Sequence, residues 1–154
     1  MNVEPLTSTD LDPSPLRDTE LVQEIQFLTA RLAAKGNNYA NKLLEELDLN
    51  VRQFSVLALA ASALKPTQRE MSSYVALDPS QIVALVDTLE SRGLVKRETD
   101  RRDRRSKNIV ATTEGEKLYK QARSITMTAE DHVLTDLTLA ERDQLRDLLT
   151  KATL

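Results

Sequence analysis

The chain has 154 residues, with 21 Lys plus Arg against 24 Asp plus Glu, 40% hydrophobic and 3% aromatic residues, and no Cys. This length fits one domain, or one domain with appendages, and 3 Gly, 5 Pro and 29% charge exclude collagenous, disordered and turn-rich β classes. With no Cys and a single His, His132, a thiol nucleophile, a disulfide switch and a Cys/His zinc cluster within one chain are excluded, so no metal and no cofactor is expected.

No apolar run approaches the ~20 residues of a membrane span. The acidic start (Glu4, Asp10, Asp12) lacks the basic and apolar segments of a signal peptide, and the expected location is cytoplasmic.

Residues 1–13 hold two prolines, three Ser/Thr and net negative charge, which predicts a flexible arm. Ser14-Pro15 offers a cap and a first-turn proline, and apolar residues then recur at Leu21, Ile25, Leu28 and Leu32 and on through Tyr39, Leu43 and Leu47. That spacing predicts one helix over about 14–47, too long to bury against a single small domain, so part of its stripe should meet another chain. Asn50 caps a helix over 51–63 with Phe54, Leu57 and Ala61 facing the core, ended by Lys65-Pro66.

Thr67-Gln68-Arg69-Glu70 is a capping box opening a short helix with Met71, Val75 and Leu77. Asp78-Pro79 begins another at once, with Ile82, Val83, Leu85, Val86 and Leu89 on its apolar side and a stop at Arg92-Gly93. Segments 94–98 and 108–112 read as short strands. Thr113-Glu114-Gly115-Glu116 and Thr138-Leu139-Ala140-Glu141 are two more capping boxes, opening helices with stripes Leu118, Ala122, Ile125, Ala129, Val133 and Leu145, Leu148, Leu149. The predicted class is mainly α with a small β-hairpin.

Charge is unevenly placed along this order. Between Arg92 and Lys107 stand eight basic residues and three acids, a net +5, whereas the rest of the chain carries −8. The short helix at Thr67, the tight turn near Leu77 and the helix over about 78–92 have helix-turn-helix spacing, although an ordinary helical corner has the same outline. With the apolar side turned inward, Ser80, Gln81, Ala84 and Thr88 are left on or near the outward face. Gln can pair with an adenine edge, Ser with either base, and Ala can touch a thymine methyl. The hairpin that follows, an Arg-rich wing over about 96–112, carries Arg101, Arg102, Arg104 and Arg105 at its tip, suited to phosphates and a narrow minor groove. Arg69 and Lys107 complete the candidate DNA contacts.

At these residues the chain resembles the multiple-antibiotic-resistance regulator (MarR) family of bacterial winged-helix transcription factors, from about Leu21 to the C-terminus. The resemblance rests on the 49–57 segment before the motif, Thr67-Gln68-Arg69-Glu70-Met71 opening it, and the 86–95 segment closing it. Its most specific part is Asp103-Arg104-Arg105 followed by Val110-Ala111-Thr112-Thr113-Glu114-Gly115.

The resemblance implies that Arg105 enters the minor groove and that Asp103 steadies the wing tip by pairing with Arg side chains. It also implies a winged helix-turn-helix with a helical dimerisation region: one regulator domain over 14–154, dimerisation helices at about 14–47 and 114–153, and a DNA-binding lobe at about 50–113. The implied function is a ligand-responsive repressor that binds a pseudo-palindromic operator as a homodimer. A small phenolic or lipophilic effector would enter a cleft beside the dimerisation helices, where Tyr39 and Phe54 are candidates, although both also fit core packing. Two positions depart from the family pattern: Thr112, where Leu is usual, reads as a minor packing difference, and Ala84, where a basic residue is frequent, weakens direct base readout.

The alternative is a winged-helix protein adaptor without specific DNA binding, which the acidic overall charge permits. An enzyme is not expected. His132 has Asp131 beside it but no nucleophile motif, and Gly36, Gly93 and Gly115 belong to no phosphate-binding loop.

Overall fold

A computed structural model describes residues 15–100 and 105–154, which fall into two units, one up to Lys35 and one from Gly36 onward. In the first unit the single long helix expected from residue 14 does not form. Two 3-10 turns, Pro15–Asp18 and Glu20–Gln23, precede α1 (Ile25–Leu44), and Thr19 and Glu24 between them are extended. The Thr19 hydroxyl donates to the Leu16 carbonyl at 2.8 Å, a local bond that competes with helix propagation. No residue of the second turn is buried, so packing does not select the helix there either. α1 still carries 20 residues, about 30 Å. A 3-10 turn, Glu45–Leu47, closes it, with Asp48 left-handed at φ 51°.

From Gly36 onward, the elements follow caps. Asn50 caps α2 (Val51–Ala60) in a reciprocal box with Gln53, and the Asn41 side chain accepts from Val51 N at 2.8 Å. The helix ends three residues short of the expected 63. Thr67 and Glu70 form the expected box on α3 (Gln68–Val75), which stops at Ala76 with φ 53° while the Ser72 hydroxyl donates to the Leu77 carbonyl. Asp78 caps α4 (Pro79–Ser91), and Gly93 leaves it at φ 70°, a conformation only glycine adopts freely.

Strand β1 (Val95–Thr99) pairs antiparallel with β2 (Lys107–Ala111), Arg97 opposite Ile109. α5 (Thr113–Val133) is capped by Thr112 and not, as the spacing predicts, by Thr113. Thr112 Oγ1 accepts from Gly115 N at 3.1 Å while donating to the Gly93 carbonyl at 2.6 Å. That tertiary bond selects between the two neighbouring threonines. α6 (Leu139–Thr153) has the expected box at Thr138 and Glu141.

One core holds these elements together. Leu44, Leu57, Met71, Ile82, Leu89 and Ile109 are fully enclosed, drawn from α1, α2, α3, α4 and β2. Gly115 is buried because α5 crosses the backbone just after α4: a Cβ there would lie 1.9 Å from the Leu94 carbonyl oxygen. α6 differs, since none of its residues is buried. Arg142 ties it back by donating to the Leu134 and Leu137 carbonyls and to Asp131, leaving Leu139 and Leu148 exposed. No described helix is long and apolar enough to cross a membrane.

Candidate nucleic-acid interface

The α3–α4 corner sets which side of α4 is available. Ile82, Val86 and Leu89 are buried, and helical spacing therefore leaves Ser80, Gln81, Ala84 and Thr88 exposed. Three of these side chains are engaged by their own helix. The Ser80 hydroxyl donates to Asp78 Oδ1 at 2.6 Å, the Gln81 Oε1 accepts from Asp78 N at 3.2 Å, and the Thr88 hydroxyl donates to the Ala84 carbonyl at 2.9 Å. The Asp78 carboxyl is held below its usual range by the Ser80 hydroxyl and then the Ser80 N–H. Arg69 is exposed on the first turn of α3.

The hairpin is anchored to the same lobe at its base. Ile109 N donates to the Pro66 carbonyl at 2.8 Å, and Thr67 forms an isolated antiparallel bridge with Asn108, so the segment entering α3 lies against β2. Asn108 and Asp100 are buried. With its NH2 turned to the adjoining acceptors, the Asn108 amide donates to the Lys65 carbonyl and to Asp100 Oδ2, each at 3.2 Å. Asp100 N in turn donates to the Ser106 carbonyl, closing the ends of the loop. By sequence Asp100 counts only as one of the acids of the basic stretch, and its contact with Asn108 is a tertiary one that spacing along the chain does not signal.

Of the basic candidates on the wing, Arg105 and Lys107 are exposed, and Lys107 Nζ donates to Thr99 Oγ1 at 2.7 Å. Arg101, Arg102, Asp103 and Arg104 lie outside the described residues. Two arginines of the basic stretch serve the fold. Arg92 donates to the Asp48 and Leu47 carbonyls at the end of α1. Arg97 reaches from β1 to Asp87 and Glu90 on α4. Burial lowers the Arg97 pKa, but the Asp87 hydrogen bond and the charges of Glu90 and Asp87 outweigh it and hold the group above its ordinary value.

The two aromatic effector candidates fall in separate pairs. Tyr39 on α1 stacks on His132 of α5 with ring centroids 4.1 Å apart and planes 14° from parallel. Phe54 on α2 faces Tyr119 of α5 at 6.0 Å and packs against the core. His132, the one histidine, thus has a packing role.

Residues 49–107 match the MarR family model. A MarR-family transcriptional regulator from Rhodococcus sp. RHA1 superposes with a TM-score of 0.82 at 39% identity, covering 86% of this chain and 94% of that one. CouR from Rhodococcus jostii RHA1, solved with p-coumaroyl-CoA bound, gives 0.78 at 40% identity over 86% and 94% of the two chains. The S. aureus MepR–DNA complex gives 0.70 at 27% identity over 84% and 96%. By sequence, fold and the placement of its wing beside α4, the chain belongs to the MarR family of winged-helix, DNA-binding transcriptional regulators.

Proposed function

We propose that this regulator is a ligand-responsive repressor acting in the cytoplasm, and that it binds a pseudo-palindromic operator as a homodimer. The observation that carries the reading is the position of α4: its polar face is exposed, and the hairpin bearing Arg105 and Lys107 is anchored next to it. In this reading Ser80, Gln81, Ala84 and Thr88 face the major groove, Arg69 and Lys107 meet phosphates, and Arg105 enters the minor groove. The MepR–DNA complex supports a duplex as the partner.

Dimerisation rests on α6, whose Leu139 and Leu148 remain largely exposed within the described chain. Two copies then read two half-sites with centres about 10 base pairs apart. A small phenolic or lipophilic effector is the proposed signal, supported by the acyl-CoA bound to CouR.

Selection of binding sites from random duplex DNA, followed by affinity measurements across salt concentration, tests the reading. An inverted repeat with steeply salt-dependent affinity is expected. Binding that is weak, unselective and salt-insensitive would favour the protein-adaptor alternative. Sedimentation at micromolar concentration should give a dimer, and p-coumaroyl-CoA, used as the probe, should lower operator affinity.

A further inference from the structure

We propose that Arg97 is a positioning residue that fixes the wing against the recognition helix and thereby couples minor-groove to major-groove recognition; this rests on the operator-binding reading above. Arg97 stands in the middle of β1, opposite Ile109 of β2, and three of its N–H groups are directed at α4. Its backbone N–H donates to Glu90 Oε1 at 3.2 Å, one guanidinium nitrogen to Glu90 Oε2, and the other to Asp87 Oδ1 at 2.5 Å. A planar fork spanning two carboxylates one turn apart fixes both the distance and the rotation of the strand relative to the helix, which an ammonium at one point does not. The Arg97 side chain is 25% exposed, so this contact is partly shielded from solvent.

The position of Asp87 gives the contact a further consequence. It lies three residues beyond Ala84 and four before Ser91, on the exposed side shared with Ser80, and its side chain is 58% exposed. An unbalanced carboxylate on that side would repel the phosphates flanking the groove. Arg97 supplies the balancing charge from the wing, so the same side chain aligns the hairpin and makes the helix face compatible with DNA.

The test compares wild type, Arg97→Lys and Arg97→Met on three duplexes: a selected operator, one altered beneath α4, and one with G·C placed where the wing enters. Both variants should keep discrimination against the change beneath α4. They should lose discrimination against the wing-facing change by about fivefold or more. Arg97→Lys, which keeps the charge, should have the salt slope of the wild type, whereas Arg97→Met, which leaves Asp87 unbalanced, should also bind every duplex more weakly.

A merely structural role would lower the unfolding midpoint but leave both discriminations intact, and that result would overturn the proposal. Where Arg97→Met does not fold, Asp87→Ala removes one limb at an exposed position and carries the same comparison. A wild type with no wing-facing preference would instead overturn the operator reading, on which the coupling depends.

Discussion

The Thr112 hydroxyl donates to the Gly93 carbonyl at 2.6 Å and accepts from Gly115 N at 3.1 Å. One side chain thus joins the turn leaving α4, the end of β2 and the first turn of α5. Thr112→Val keeps the shape and removes the hydroxyl, and the expected loss is about 1–2 kcal/mol in equilibrium denaturation. A loss below about 0.3 kcal/mol would show that Thr113 can take over the cap.

The two glycines beside this junction should differ in sensitivity. At Gly115 an added Cβ meets the Leu94 carbonyl oxygen at 1.9 Å, and a backbone atom cannot move aside without shifting α5. Gly115→Ala should cost ~3 kcal/mol or more. At Gly93 the added carbon meets nothing within 4 Å, so only the strain of φ 70° remains. Gly93→Ala should cost about 1 kcal/mol, and the reverse order of thermal midpoints would contradict this packing.

A third turn carries strain that glycine would relieve. Ala76, between α3 and α4, sits at φ 53°, in the left-handed region. Ala76→Gly removes that cost while adding backbone entropy to the unfolded chain, with a net gain of up to about 1 kcal/mol. A lower denaturation midpoint for this variant would mean that the Ala76 methyl makes a packing contribution larger than the strain.

The contrast between these positions shows what a sequence can convey. Thr67, Asp78 and Thr138 announce their helices because a cap is decided within four residues, and the core stripe of α4 fixes which residues face outward. Local pattern fails between residues 15 and 24, where apolar spacing is helical but no burial enforces it. It fails again at Thr112, because the choice between adjacent threonines is made by a carbonyl 19 residues earlier. Arg97 was hidden among eight similar charges. Only the antiparallel return of β1 toward α4 distinguishes it from the arginines of the tip.

Asp78 supplies a pH dependence with a definite sign. Its carboxyl is held below the usual range by the Ser80 hydroxyl, followed by the Ser80 N–H. A group depressed in the folded state stabilises that state above the unfolded pKa, near 4, and the contribution disappears as pH falls through the lowered folded value. Asp78→Asn can still cap α4 but does not titrate. Its stability, measured from about pH 6 to about pH 2, should therefore fall less steeply than that of the wild type. Parallel curves would remove Asp78 from the acid response.

Gln81 faces two demands at once. Its Oε1 accepts from Asp78 N at 3.2 Å in the capping box, whereas bidentate pairing with adenine needs that oxygen for the base amino group and the NH2 for the ring nitrogen. The cap must therefore be shared or released when the base is read, which lowers the net gain from the contact. Gln81→Glu separates the two roles: a carboxylate still accepts from Asp78 N, so stability should stay within about 0.5 kcal/mol of wild type. It has no donor for the ring nitrogen and brings negative charge toward phosphate, so affinity should fall on every duplex and the adenine preference should vanish. Gln81→Ala loses the cap and the contact together. Site selection by all three proteins decides the matter. If Gln81→Glu retains the base preference of the wild type, the specificity of α4 lies elsewhere on its exposed face, and Gln81 serves only to start the helix.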